Sequence, residues 1–78
     1  MKKNKVLVQI GDNIRNVRLK QNLSQEQLSF KAGLDRSYIG SVERGERNIA
    51  AVNLVKIAEA LNIKPSALLN DVTTNKEK

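Results

Sequence analysis

The residues of this 78-residue chain whose types and spacing could do chemistry lie between positions 35 and 48. They carry cationic and hydroxyl side chains. Arginine can donate two hydrogen bonds to O6 and N7 of guanine, and a serine hydroxyl can donate to or accept from several base edges. An arginine and two serines stand at the start and middle of a predicted short helix, away from its apolar residues. This arrangement predicts direct contact with DNA bases. The predicted base-contacting residues are Arg36, Ser37 and Ser41.

The outward face of that helix carries small residues where an exposed helix usually carries long charged ones. Apolar Ile39 and Val42 define the inward face. The outward face then holds Ser37, Gly40, Ser41 and Arg44. Small side chains allow deep entry into the major groove, which is about 12 Å wide and admits one α-helix. The alternative is an ordinary surface helix whose exposed residues happen to be small.

Polar residues around this helix are predicted to contact the DNA backbone or the edge of a site. Tyr38 stands on the flank of the helix, and Arg44, Arg47 and Asn48 follow at its end and in the next loop. Arg47 could also reach a base edge. The alternative is a solvated loop in which Glu46 neutralises a neighbouring cation.

The preceding predicted helix begins with a capping box, formed by Ser24 and by Gln27 three residues later. The start of a helix presents free backbone N–H groups and the positive end of the helix dipole, which together attract anions. Gln25 adds an amide that can donate to a phosphate. Ser24 and Gln25 are therefore predicted to bind the DNA backbone, although Ser24 and Gln27 could serve as a cap alone.

The composition excludes most catalytic chemistry. The chain contains no histidine and no cysteine, so zinc sites and the usual nucleophile–base pairs lose their members. We therefore expect neither an enzyme nor a bound metal or cofactor. Fourteen lysines and arginines against eight acidic residues give a net charge of +6, which favours a polyanion such as nucleic acid, although ribosomal and membrane-surface proteins can be as basic. RNA is disfavoured because Tyr38 and Phe30 are too few aromatic residues for base stacking.

The chain reads as one small domain. We expect a folded core over about residues 5–70, a helix-turn-helix over 24–45 and a flexible polar tail over 71–78. No apolar run approaches the ~20 residues of a membrane span. The segment VLVQI after the basic start is also too short for the ~7–15-residue apolar core of a signal peptide. A cytoplasmic or nucleoid location and no contact with membranes are therefore expected.

Five helices and no strand fit the apolar spacing. The first spans about Lys5 to Lys20, and Asn22 ends it because asparagine tolerates the left-handed conformation. The second runs from its cap at Ser24 to Ala32, the third from its cap at Asp35 to Gly45, the fourth over about Val52 to Leu61, and the fifth over about Pro65 to Asn70. Helices two and three, joined by a three-residue turn that contains Gly33, have the sequence form of a DNA-binding helix-turn-helix.

Two opposite charges border the apolar stripes of helices one and three. Arg18 follows Ile14 by four residues, and Glu43 follows Ile39 by four. This spacing predicts a partly buried ion pair that fixes one helix against the other, with a structural role. Gly11 within helix one indicates the close approach of another helix.

The sequence from Ile10 to Leu69 resembles the Xre family, the lambda-repressor and Cro type of helix-turn-helix domain. The matching pieces are IGDNIRNVRLKQNLSQEQLS, KAGLDRSYIGSVERG and NLVKIAEALNI. The resemblance implies an all-α, five-helix lambda-repressor-like DNA-binding domain. It also places the family's helix-two Ser-Gln pair on Ser24 and Gln25, and its arginine–glutamate pair on Arg18 and Glu43.

Within that family, LDRSYIGSVERGERNI is most similar to the small controller proteins of restriction–modification systems. The resemblance implies a homodimer joined through helices four and five that binds palindromic sites, activates its own gene and the endonuclease gene, and represses at higher concentration. A contact with RNA polymerase is possible on the same ground. A phage-type or stand-alone repressor, and an interaction module that heterodimerises with another regulator or a toxin, stay open as alternatives.

A dimer is also favoured by size, because one short helix would bind DNA weakly and a two-fold dimer reads half-sites one turn, ~34 Å, apart. The end of the chain is more apolar than the last helix of a monomer needs. The candidate interface residues are Ile63, Leu68, Leu69 and Val72. The alternative is that these residues pack on helices one and four of their own chain.

Overall fold

The computed structural model describes residues 4–75, which form four α-helices and a final 3-10 helix. The elements are α1 (Lys5–Lys20), α2 (Gln25–Ala32), α3 (Arg36–Glu43), α4 (Ala51–Ala60) and the 3-10 helix Pro65–Leu69. The all-α prediction is confirmed, but the fifth α-helix is wrong. Lys64 and Asn70 are extended, with ψ of 143° and 127°, so only five residues lie between them, and Pro65 at the start of this short helix has no N–H to donate.

The beginnings of α1 and α2 are fixed by side-chain caps. Asn4 accepts hydrogen bonds from the backbone N–H groups of residues 6 and 7. The capping box predicted at Ser24 and Gln27 is present in both directions. Asp35 occupies the N-cap position of α3, but the expected cap is absent because its carboxylate accepts the Ser37 hydroxyl at 2.6 Å instead of a backbone N–H.

The ends of α1, α2 and α4 share one motif, a left-handed residue followed by an apolar one. The pairs are Asn22-Leu23, Gly33-Leu34 and Asn62-Ile63. In each pair the N–H of the apolar residue donates to the carbonyl five residues earlier, over 2.9–3.1 Å. This Schellman arrangement satisfies helix-end carbonyls and turns the apolar side chain back onto the core.

The core draws on all five elements. Its buried residues are Ile10, Ile14, Leu28, Ala32, Ile39, Val42, Ile57, Ala58, Leu61 and Leu68. The apolar stripes predicted for α1 (Val6, Ile10, Ile14 and Val17) and for α4 (Leu54, Ile57, Ala58 and Leu61) face inward, since each of these residues is buried or partly buried. The same core packs α2 and α3 against the rest of the domain.

The close helix approach predicted at Gly11 is confirmed. A Cβ at this position would lie 2.5 Å from the backbone oxygens of Val42 and Glu43. The end of α3 therefore rests directly on the backbone of α1. This contact sets how far α3 stands out from the body of the domain.

Two amides on α1 hold the segment that follows the 3-10 helix. Asn13 donates to the carbonyls of Leu68 and Asn70 at 2.9 and 3.1 Å. Gln9 donates to the carbonyl of Thr73 at 2.8 Å and accepts from its N–H at 3.2 Å. The first residues of the segment predicted to be a flexible tail thus contact α1, while its last three lie outside the described residues. Within residues 4–75, no helix combines the length and apolar content that crossing a membrane requires.

Candidate nucleic-acid interface

Arg36 lies at the first position of α3 with an exposed side chain. Within residues 4–75 its guanidinium makes no hydrogen bond and no ion pair, in contrast to Arg15, Arg18 and Arg44, which are each paired with a carboxylate. All of its N–H donors are therefore available to a ligand. A free, planar donor at the start of an exposed helix has the form required to bond two adjacent acceptors on guanine.

The hydroxyl groups of the two serines of α3 already donate hydrogen bonds within the protein. Ser37 donates to the Asp35 carboxylate at 2.6 Å, and Ser41 donates to the Tyr38 carbonyl at 2.9 Å. Each hydroxyl oxygen therefore presents lone pairs outward. Acceptors of this kind suit the amino groups of adenine or cytosine in the major groove.

Gly40 was expected to lie on the open face of α3, and the structure places it elsewhere. Its Cα is buried, with the side chains of Gln25 and Arg44 lying over it. The expectation fails because helical periodicity describes the faces of α3 alone, whereas the covering side chain of Gln25 comes from α2. The outward face of α3 is therefore formed by Arg36, Ser37 and Ser41 without the glycine.

The cations at the end of α3 are held in different ways. The Arg47 guanidinium carbon lies 5.2 Å from the centroid of the Tyr38 ring, a cation–π distance. The Tyr38 hydroxyl in turn accepts a hydrogen bond from Asn53 at 3.1 Å. The sequence gives no signal for Asn53, because its partner is fifteen residues away on another helix. Tyr38 therefore orders Arg47 beside α3.

Arg44 and Asn48 are more loosely placed. Arg44 pairs with Glu46 at 3.0 Å, and both side chains are about half exposed. Asn48 is exposed in the loop before α4. An exposed pair of this kind contributes little to stability. Arg44 can therefore exchange its carboxylate for a phosphate at small cost.

The start of α2 presents backbone donors that could hold an anion. The capping box uses the N–H groups of Ser24 and Gln27. The N–H groups of Gln25 and Glu26, the first two residues of the helix, have no acceptor within residues 4–75. They point out of the helix along its positive end, which is the geometry that binds phosphate in many proteins.

The Gln25 side chain points back into the protein as well as outward. Its amide donates to Glu43 at 3.0 Å. Glu43 also accepts two hydrogen bonds from Arg18, at 2.6 and 2.8 Å, and both side chains of this pair are less than a tenth exposed. The contact of Gln25 with Glu43 was not foreseen, since neither residue is near the other in sequence. One of its two amide hydrogens is left for a phosphate.

The Arg18–Glu43 pair joins α1 and α3 behind the exposed face. Hydrogen bonding to Glu43 raises the pKa of Arg18, against the opposing effect of burial. Arg18 also donates to the carbonyl of Leu23 at 2.8 Å. Within residues 4–75 no buried side-chain donor or acceptor lacks a partner, so the charges are fully compensated. The network ties α1, α2 and α3 into one rigid support.

The candidate dimer residues fall into two groups. Leu68 is completely buried in its own core, Ile63 and Val72 are half-buried, and Leu69 is 45% exposed. On α4, Val52 and Val55 are also exposed, and sequence reasoning missed them. The signal was present, because both valines lie outside the inward stripe of that helix. Together these residues give the side of α4 and the C-terminal segment an apolar surface.

Phe30 is the most exposed large apolar residue within the described range, at 88%. It lines an open groove with Leu23 and Leu34, between the start of α2 and the start of α3. Ser24 and Arg36 lie on the rim of the same groove. An apolar side chain is thus presented next to the candidate DNA-binding residues.

Comparisons with known proteins agree with this geometry. The helix-turn-helix family model HTH_3 matches residues 14–68. The control protein C.BamHI of Bacillus amyloliquefaciens is 44% identical over 72 residues, covering 91% of this chain and 88% of that protein. The crystal structure of the restriction-modification controller protein C.AhdI from Aeromonas hydrophila has a TM-score of 0.79 at 53% identity, over 80% of this chain and 94% of that one.

A third relative was solved with nucleic acid. The biofilm master regulator SinR, in complex with DNA, has a TM-score of 0.75 at 32% identity over 78% of this chain and 98% of that chain. All three relatives are regulators or control proteins by name, and none is named as an enzyme. The chain therefore belongs to the HTH_3, or Xre-like, helix-turn-helix family and, within it, is related to the controller proteins of restriction–modification systems.

Proposed function

We propose that this protein is a sequence-specific DNA-binding transcription regulator that inserts α3 into the major groove. The observation that carries the proposal is the unpaired guanidinium of Arg36 on the exposed first turn of α3. Arg36 reads a guanine through O6 and N7, and Ser37 and Ser41 accept from neighbouring amino groups. Base reading of this kind gives the sequence preference that a regulator needs.

The backbone contacts set the register of α3. The free N–H groups at the start of α2, together with Ser24 and Gln25, bind one phosphate, and Arg44, Arg47 and Asn48 contact the flanking strand. Such contacts supply affinity without sequence information. The net charge of +6 supports this role, because a basic protein gains free energy by releasing counterions from DNA.

The active species is a homodimer on a palindromic site. The exposed apolar residues Val52, Val55 and Leu69, with the half-buried Ile63 and Val72, support an interface along α4 and the C-terminal segment. Leu68 contributes by packing beneath this surface rather than by contact with a partner. Two-fold symmetry presents two copies of α3 to half-sites about one helical turn apart.

The relationship to controller proteins supports regulation by this protein of its own gene. A cytoplasmic regulator of this kind activates its own promoter at low concentration, through an added contact with RNA polymerase. At high concentration it represses the same promoter. The exposed apolar side chain of Phe30, beside the DNA-binding residues, suits such a contact. Transcription from its own promoter with purified polymerase should rise and then fall as the protein is titrated in.

The direct test is a competition binding experiment. Fluorescence anisotropy with a labelled duplex from upstream of the protein's own gene is compared with a shuffled duplex of equal composition. We expect at least about 10³-fold tighter binding to the natural sequence. Equal affinity for the two duplexes contradicts the proposal and favours the interaction module, in which DNA contact is secondary to a protein partner.

A further inference from the structure

Gly40 occupies the interior of α3, where glycine is the least favourable residue other than proline. Its backbone does not require glycine, because the positive-φ glycines of residues 4–75 are Gly33 and Gly45. An alanine would therefore improve the helix. The reason for a glycine here lies in the space beside its Cα.

That space is filled by two side chains. A Cβ at Gly40 would lie 3.2 Å from a terminal nitrogen of Arg44 and 3.4 Å from the amide oxygen of Gln25. At Gly11, by contrast, the nearest atoms are backbone atoms of α3 at 2.5–2.8 Å. Gly11 thus allows two helix backbones to touch, whereas Gly40 allows a side chain from one helix to cross another.

We propose that Gly40 is a positioning residue for DNA recognition. Its missing side chain leaves the passage through which the Gln25 amide reaches from the start of α2 to Glu43 on α3. The crossing fixes the phosphate-binding end of α2 relative to the base-reading face of α3. This inference rests on the proposed function, since its consequence is that both surfaces fit one DNA site together.

A methyl group at position 40 separates positioning from folding. The contact with Arg44 at 3.2 Å is closer than ordinary van der Waals distance, so Arg44 must move by a few tenths of an ångström, and the Gln25 amide oxygen at 3.4 Å is left in direct contact with the methyl group. Glu43 keeps both hydrogen bonds from Arg18 when Gln25 moves, so the buried pair survives. The added methyl also favours the helix. Folding stability is therefore retained while the geometry of the DNA-facing side changes.

The test is a cycle of three variants, Gly40→Ala, Gln25→Ala and the double variant, each measured for thermal melting and for binding to the natural duplex. We expect Gly40→Ala to melt at or above the wild-type temperature and to bind about tenfold more weakly. In the Gln25→Ala background the same change should alter binding less than twofold. The side-chain amide NMR resonances of Gln25 should also shift in Gly40→Ala without DNA.

Four results overturn the inference. The first is binding of Gly40→Ala within twofold of the wild type. The second is a melting temperature of Gly40→Ala that falls together with its affinity, and the third is an effect of Gly40→Ala that persists in the Gln25→Ala background. A persistent effect would assign the role of Gly40 to Arg44 or to simple packing. Failure of the wild type to prefer the natural over the shuffled duplex overturns the proposed function itself, whereas unshifted Gln25 resonances in Gly40→Ala overturn this inference alone.

Discussion

At the scale of single residues, the cation proposed to read DNA differs in its surroundings from the cation that holds the fold. Arg36 is exposed and unpaired within residues 4–75, whereas Arg18 is buried and held by Glu43. The same side-chain chemistry therefore has two functions, and burial with a carboxylate partner distinguishes them. Substitution at each position should affect a different measured quantity.

Replacing Arg36 with alanine should lower affinity for the natural site by about 1–3 kcal/mol and relax the preference at one base position per half-site. The reason is the loss of a paired donor to guanine. Binding to a set of single-base variants of the site measures the effect. Arg15→Ala, which removes the same charge outside the candidate interface, is the control and should change no base preference. An equal loss on every sequence would show that Arg36 contacts phosphate alone.

Replacing Glu43 with alanine should destabilise the protein by about 3–5 kcal/mol, because the buried charge of Arg18 loses its partner. Urea denaturation measures this change. The matched control is Glu46→Ala, which breaks an exposed pair with Arg44 and should cost less than about 1 kcal/mol. A stable Glu43→Ala protein with an altered site preference would contradict the structural assignment of the pair.

At the scale of helices, two positions require glycine for different physical reasons. Gly11→Ala should destabilise by about 1–3 kcal/mol or more, because its Cβ would overlap backbone atoms of α3 that cannot move aside. Gly33→Ala should cost about 1–2 kcal/mol for a different reason, the left-handed φ of 70°, since no atom lies within 4 Å of its Cβ.

Thermal melting, monitored by circular dichroism, compares the Gly11→Ala and Gly33→Ala variants. A Gly33→Asn variant serves as the second control, because asparagine tolerates the left-handed region and already occupies it at Asn22 and Asn62. It should melt closer to the wild type than Gly33→Ala does. If Gly11→Ala melted like the wild type, α1 and α3 would have to be farther apart than the structure places them.

The helices could be predicted from the sequence wherever a local signal marked both ends. The capping box at Ser24 and the left-handed Gly33 bound α2 without knowledge of the fold. The 3-10 helix could not be predicted, because a proline start suits either helix type. The chain leaves helical geometry at Asn70, with ψ of 127°, and neither Asn70 nor the left-handed Asp71 carries a strong local signal for this early end.

The candidate site was predictable to the extent that it follows helical periodicity. The exposed position of Arg36 and the inward position of Val42 both derive from spacing along α3. The burial of Gly40 and the bond from Gln25 to Glu43 do not, because they depend on how far a side chain of one helix reaches across another. Contacts of that kind can be predicted only when the packing angle between α2 and α3 is known.

At the scale of the whole molecule, the apolar side of α4 and the C-terminal segment should join two copies. Val55→Glu and Leu69→Glu place a charge on this surface, so each should yield a folded monomer with weaker binding to a palindromic site. Sedimentation velocity measures the assembly. Leu19→Glu is the control and should remain dimeric, because Leu19 lies on α1 and is more exposed than Val55 or Leu69. A monomeric wild type that binds its site at full affinity would refute the dimer.

In the proposed dimer, each subunit would hold its α3 firmly toward one face of the DNA. The Arg18–Glu43–Gln25 network and the contact at Gly11 fix α3 against the body of each subunit. The amides of Gln9 and Asn13 fix the segment that carries Leu69. In the proposed dimer, these contacts would keep the distance between the two copies of α3 constant, and with it the spacing of the half-sites.

The most direct test of base reading by α3 is dimethyl sulfate footprinting of the natural site, because the reagent methylates guanine N7 in the major groove and adenine N3 in the minor groove. With α3 of each subunit in the major groove, guanine N7 should be protected in two patches about one helical turn, ~10 base pairs, apart. In each patch one protected guanine should regain reactivity when Arg36→Ala replaces the wild type. Bound DNA whose guanine N7 atoms all stay reactive, or protection confined to adenine N3, would contradict the placement of α3 in the major groove.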